Sequence, residues 1–299
     1  MGVNERPFAV TEREDGVWAG PVREPRNLEQ AIKGSIHDDA TAVKLGLRGG
    51  TVAGSLHIEQ FPPLLTRVFG RRWWETGGLS LYFRYATTDR EKVQCFARRP
   101  EADPAVQEDA RTEVWIDHEN GSRVAEGTAS VGKPDPASPL RLRIQRVPAP
   151  QELRILSELE IDHECAPIPT RATRERLERR LSVIVEPLPD YRGESEWGGP
   201  IAPPSLVVDV MTRVQPELLP PERKYGVGLY GAIEIQHLRG PVFIDRDYRV
   251  RARILAVSET PKTEYLWYES TLSEPEGGGD VAAMLMMLRF MKASHPAWQ

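Results

Sequence analysis

The chain has 299 residues, 40% of them hydrophobic and 28% charged, enough apolar material for a packed core and too much for a disordered tail. Lys and Arg number 39 against 44 Asp and Glu, a net charge of −5. That balance argues against nucleic acid as the main partner, because a phosphate-binding face shows as a basic surplus.

The amino terminus, MGVNERPFAV, lacks the apolar stretch of a secretory signal and has Arg6 where myristoylation needs a hydroxyl residue. The longest apolar run, residues 281–288, is far short of the roughly 20 residues of a membrane helix. Cys95 and Cys165 are too few for a disulfide framework and suit a reducing compartment. These features lead us to expect a cytoplasmic protein with no membrane partner. Its length suggests two modules or one large domain.

In chain order, residues 35–61 read SIHDDATAVKLGLRGGTVAGSLHIEQF. Asp38 and Asp39 precede a short helical stretch, where one of them serves as an N-cap. A Gly-Gly-x-Val-Ala turn at Gly50 opens an apolar helix carrying Thr-Arg-Val at Arg67. Strand alternation follows at Leu79, Leu81 and Phe83, at Val93, Cys95 and Ala97, and at Val114 and Ile116. HENGS, residues 118–122, has the Asn and Gly that a hairpin turn needs.

Residues 134–150 are dense in proline and read as a linker crossing the surface. Asp162, His163, Glu164 and Cys165 are ligand-like by type, but adjacent residues cannot all converge on one ion, and no metal is expected. RATRERLERRLS, residues 171–182, reads as an amphipathic solvated connector. Then the pattern recurs. Gly-Gly-x-Ile-Ala at Gly199 and Thr-Arg-Val at Arg213 lie 149 and 146 residues after their first-half counterparts. Alternation at Ile233 and Ile235 and from Tyr248 to Ile254 follows, then the turn-forming EPEGGGD and a buried MLMML strand at residues 284–288. An internal repeat is the reading that accounts for this register.

A long central helix wrapped by an antiparallel sheet, made twice, is an α+β double hotdog. We expect an N-terminal hotdog over residues 1–145, a linker over 146–154 and a degenerate C-terminal hotdog over 155–299. The fused pair supplies the pairing that single hotdogs obtain by dimerising, and leaves a further homodimer open.

Residues 35–61 resemble the MaoC-like family, which includes the (R)-specific enoyl-CoA hydratases and dehydratases. The family pattern is an Asp, then Asn-Pro-x-His-x-Asp, a short helix ending near Gly-Phe, and an (Ile/Val)-Ala-x-Gly turn. His37 and Asp39 fall on the His-x-Asp pair, Gly46 and Leu47 on Gly-Phe, and Val52 to Ser55 on the turn. Ile32 falls where the family has its catalytic acid, and Gly34 and Ser35 replace Asn and Pro. The resemblance implies addition or removal of water at an α,β-unsaturated acyl thioester or related enone. The partner is then a small molecule, an acyl-CoA or similar apolar ligand, and no cofactor is needed.

Such chemistry needs acid–base groups and N–H donors facing the thioester oxygen, where enolate charge builds. His37 is the expected acid–base residue, and Gly54 and Ser55, at a helix N-terminus, the expected donors. Asp38, Asp39 and Glu59 are the nearest replacements for the missing acid. Arg71 and Arg72 are expected at a CoA phosphate. The second half offers Ala202-Pro203-Pro204, whose prolines have no N–H, and no His-x-Asp, so one site is expected. Two alternatives stand beside this reading. Glu59, with His57 next to it in the helix, occupies the place where some hotdog thioesterases carry their catalytic carboxylate. Loss of the acid at Ile32 also fits a hydrophobic-ligand binder without turnover.

Overall fold

Alternating apolar residues form strands in both halves, and the computed structural model joins them into one sheet. It describes residues 9–299 except 102, 105, 194 and 276. The segment read for targeting signals therefore lies outside the described residues except for Ala9 and Val10.

The first half supplies β1 (Thr11–Glu12), β2 (Val17–Arg23), α1 (Asp39–Lys44), α2 (Gly54–Ile58), α3 (Pro62–Phe69), α4 (Arg72–Thr76), β3 (Gly78–Phe83), β4 (Val93–Arg98), β5 (Ala110–His118) and β6 (Arg123–Val131). After α5 (Pro139–Ile144), the second half supplies β7 (Ile168–Arg171), α6 (Arg174–Leu181), α7 (Pro204–Met211), α8 (Gln215–Leu218), β8 (Gly228–His237), β9 (Asp247–Glu259), β10 (Thr263–Ser273) and β11 (Asp280–Met291). Among the described residues the sheet has 11 strands in the order β1-β2-β4-β5-β6-β3-β8-β11-β10-β9-β7. Every pairing is antiparallel.

From β2 to β7 the order is a palindrome of the two repeats. They meet at β3 and β8, where Leu79 lies opposite Ile235 and Leu81 opposite Ile233. These four side chains join the main core with Ile58, Phe61, Leu64 and Leu65 from one set of helices and Leu206, Val207 and Val210 from the other. This is the expected double hotdog. HENGS forms the turn between β5 and β6, with Gly121 at φ 83°.

One expectation needs correction. The first repeat has no long continuous central helix, because α2 stops at Ile58 and α3 begins at Pro62. Pro62 and Pro63 have no N–H to continue an existing helix, but suit a new first turn. The repeat spacing drops by three residues between its two landmarks, 149 to 146. The first repeat is three residues longer in the interval that contains the break. In the second repeat Pro203 and Pro204 precede and open α7, so that helix runs on to Met211.

The segment between the repeats is bound more closely than a surface linker. It crosses the side of the sheet opposite the core helices. Leu140 of α5, only 1% exposed, joins Ala232, Tyr265, Trp267, Leu285 and Met287 in a second apolar cluster. Strand carboxylates pin the strap down. Glu234 accepts from Ser138 Oγ and Arg141 Nε, and Glu259 accepts from the Gln151 and Glu152 N–H groups. Glu264, fully buried, takes the N–H groups of Arg154, Ile155 and Leu156 and the Trp298 indole.

Replacing Glu264 with alanine strands these donors inside the protein. The expected loss of stability is about 3–5 kcal/mol, read as a lowered urea midpoint. Glu264→Gln, which keeps one acceptor, is expected to lose less.

Candidate active site

The segment that carries His37 is held by short, local hydrogen bonds. Asp38 is the N-cap of α1, accepting from the Thr41 N–H and hydroxyl. The Lys33 ammonium at 2.8 Å, together with these bonds, holds its carboxyl down at about 2. Asp39 reaches the other way and accepts the Gly50 N–H at 2.7 Å. The His37 carbonyl accepts from Asn27 Nδ2 at 2.9 Å. A Cβ on Gly50 would stand 2.2 Å from that carbonyl, so only glycine lets the two strands of this loop close on each other. His37 Nδ1 lies 2.7 Å from the Thr51 carbonyl. A carbonyl only accepts, so Nδ1 carries the proton and Nε2 is left with its lone pair. Among the described residues nothing bonds Nε2.

His37 lines a cleft of about 720 Å³ between the two repeats. Gly54, Ser55 and His57 line it too, as does Ile32 at the place of the family's acid. The Gly54 and Ser55 N–H groups, in the first turn of α2, have no acceptor among the described residues. The space beside Gly54 is filled by the Phe83 ring, 2.7 Å from where a Cβ would lie. Glycine is required there by that ring.

The other residues singled out by sequence are placed differently. His57 is buried, with Gln60 Nε2 at 3.1 Å from Nδ1 and Thr87 Oγ1 at 2.8 Å from Nε2. Both ring nitrogens are satisfied, and burial holds the imidazole down at about 4. Glu59 is buried outside the cleft and accepts the Ser205 N–H in the first turn of α7. Its other oxygen has no partner, and the residue lines a space of about 20 Å³, room for one water. Burial raises its carboxyl to about 7, against the pull of the Ser205 hydrogen bonds and Arg180.

Asp39 is occupied by Gly50 and Gln30. Arg71 pairs with Glu196 and Asp190 and stacks on Trp197, while Arg72 donates to the carbonyls of Pro104, Gln107 and Glu108. None of Asp39, Arg71 and Arg72 lines the cleft.

Sequence reasoning missed the residues on the cleft's other walls. Glu29 lies eight positions before His37 and pairs with Arg179 at 2.7 Å. Arg180, Asp209 and Tyr230 come from the second repeat. Arg180 belongs to the helix read as a solvated connector, where its amphipathic pattern masks it. Leu177 and Leu181 anchor α6 in the core, and Arg180 turns toward the cleft.

Three solved structures share this architecture. A MaoC domain protein from Chloroflexus aurantiacus, named as a dehydratase, is 12% identical over 97% of this chain and 99% of that one, with a TM-score of 0.66. A conserved hypothetical protein from Mycobacterium tuberculosis with a double hotdog fold is 11% identical, covering 91% and 94%, with a TM-score of 0.57. A MaoC-like dehydratase is 12% identical, covering 92% and 98%, with a TM-score of 0.55. No family model matches the chain, and no curated protein matches it. At these identities the likeness is one of fold: the chain has the double hotdog fold found in MaoC-like dehydratases. Among the described residues no helix is long and apolar enough to cross a membrane.

The buried groups define opposite pH responses. The folded state keeps Glu59 protonated to about pH 7, whereas an unfolded chain releases that proton near its ordinary value, so this group's contribution is lost as pH rises through 7. His57 and His237, both held down at about 4 by burial, cost stability as pH falls from their ordinary value toward 4. Glu59→Gln keeps an acceptor for Ser205 and removes the first effect. It is expected to gain about 2–3 kcal/mol over wild type at about pH 8 and little at about pH 5, by urea denaturation at each pH.

Proposed function

We propose that the chain is a hydratase or dehydratase acting on an α,β-unsaturated acyl thioester. The observation that carries this reading is one cleft that holds both an imidazole with a free Nε2 and two unpaired backbone N–H groups. In the hydration direction, His37 Nε2 takes a proton from water as the water oxygen bonds to the β-carbon. Charge then builds on the thioester oxygen, which accepts hydrogen bonds donated by the Gly54 and Ser55 N–H groups. The His37 imidazolium returns its proton to the α-carbon, so one water is added in full, and dehydration runs the same steps backward. Glu29, the cleft carboxylate nearest His37 in the chain, takes the role left by Ile32 by accepting a hydrogen bond from the water's second O–H, whose hydrogen stays on the product hydroxyl.

Hydrolysis through Glu59 has weaker support, since the residue lies outside the cleft beside room for one water and one of its oxygens caps α7. A panel of enoyl-CoAs followed by loss of conjugated absorbance, with free thiol detected in parallel, separates the readings. The expected result is hydration without thiol release, lowered roughly 100- to 10,000-fold in kcat/KM by His37→Ala. Thiol release abolished by Glu59→Gln would establish hydrolysis instead. Tight binding of an acyl ligand with no turnover would point to a binding protein.

A further inference from the structure

The wall of the cleft supplied by the second repeat carries a cation that nothing there fully balances. Arg180 lines the cleft with its side chain only 12% exposed. Its nearest carboxylate oxygen, Asp209 Oδ1, is 3.6 Å away, beyond hydrogen-bonding distance. Asp209 also serves Arg176, whose Nε lies 3.3 Å from Oδ2, so two guanidiniums face one carboxylate. Arg176 Nη2 is itself buried without a partner. Glu29, the other cleft carboxylate, is engaged by Arg179 at 2.7 Å. Among the described residues the Arg180 guanidinium makes no hydrogen bond.

A guanidinium presents five N–H donors in a rigid fork. The Arg180 side chain is mostly covered while its donors open onto the cleft, where a ligand's acceptors can replace water on the fork. The geometry points to a carboxylate at the distal end of the acyl group, gripped by Arg180, which makes the substrate the monothioester of an unsaturated dicarboxylic acid. This deepens the hydratase reading and rests on it for the reactive end of the molecule. A carboxylate matches the fork in a two-bond pairing. The other anion such a ligand carries is phosphate, on the nucleotide of coenzyme A. That part is strongly hydrated and belongs at a protein surface, whereas Arg180 is mostly removed from solvent. Asp209, close but not bonded, keeps the guanidinium oriented without occupying it.

Binding of saturated thioesters tests the assignment without depending on turnover. Glutaryl-CoA and pentanoyl-CoA differ chiefly in the distal carboxylate, and neither has a double bond to hydrate. Their N-acetylcysteamine counterparts lack the nucleotide altogether. By calorimetry, wild-type protein is expected to prefer the glutaryl thioester by about 30-fold in both series. Arg180→Met is expected to bring that preference close to parity and Arg180→Lys to leave part of it, with circular dichroism showing that each variant is folded. Equal affinity for the two acyl groups in wild type would overturn the proposal. So would an Arg180→Met loss that falls equally on both CoA thioesters and on neither cysteamine thioester, which would identify phosphate as the anion. Turnover of glutaconyl-CoA and pentenoyl-CoA tests the hydratase reading separately, so its failure leaves a distinct record from failure of the anchor.

Discussion

The pairing of β3 with β8 is the contact on which the rest of the molecule depends. Alone, each repeat would end its sheet in an edge strand with a row of unpaired N–H and C=O groups. Joined, the two edges pair with each other, and side-chain alternation sends Leu79, Leu81, Ile233 and Ile235 to the helix side. A slip of one residue would reverse those faces. The register therefore also places Ser80 and Glu234 opposite each other on the other face, where Glu234 meets the strap. With both helix sets on one side, α2 packs against α7, and the cleft lies where the first repeat's turn faces β8 and β11.

That same contact between helices makes the two repeats unequal. The first turn of α2 leaves the Gly54 and Ser55 N–H groups free beside the cleft. The first turn of α7 has Pro204, with no N–H, and Ser205, whose N–H is taken by Glu59 of the other repeat. Glu59 thus occupies a donor in the second repeat instead of lining the cleft beside the first.

The repeat, the antiparallel strands, the hairpin at His118 to Ser122 and the N-cap at Asp38 were legible because each rests on local chemistry: alternation, turn residues and a short polar cap. The break before Pro62 was also written in the chain, in the proline pair and the change of repeat spacing, but the apolar pattern around it reads as one helix. The setting of Glu59 was hidden because its partner is 146 positions away and only the fold brings them together. Arg180 was hidden for a different reason. In an amphipathic helix a charged residue reads as solvent-facing, and nothing in the spacing says that one of several arginines meets a cleft. Residues 134–150 looked like a simple crossing because proline density is local, whereas Leu140 and the carboxylates that hold the strap belong to the second repeat's tertiary surface.

The strap has a consequence for how such a cleft can differ from one formed by two separate, identical chains. Two identical single repeats related by a dyad must present the same groups at both ends of their shared surface. Any base or cation placed at one end is copied at the other. Carrying the two repeats on one chain removes that obligation while the palindromic sheet is kept. His37 stands in the first repeat without a copy in the second, and Arg180 lines the cleft from the second. The duplicated scaffold is nearly symmetric, but its cleft has polarity, which gives a ligand lying in it a defined head and tail.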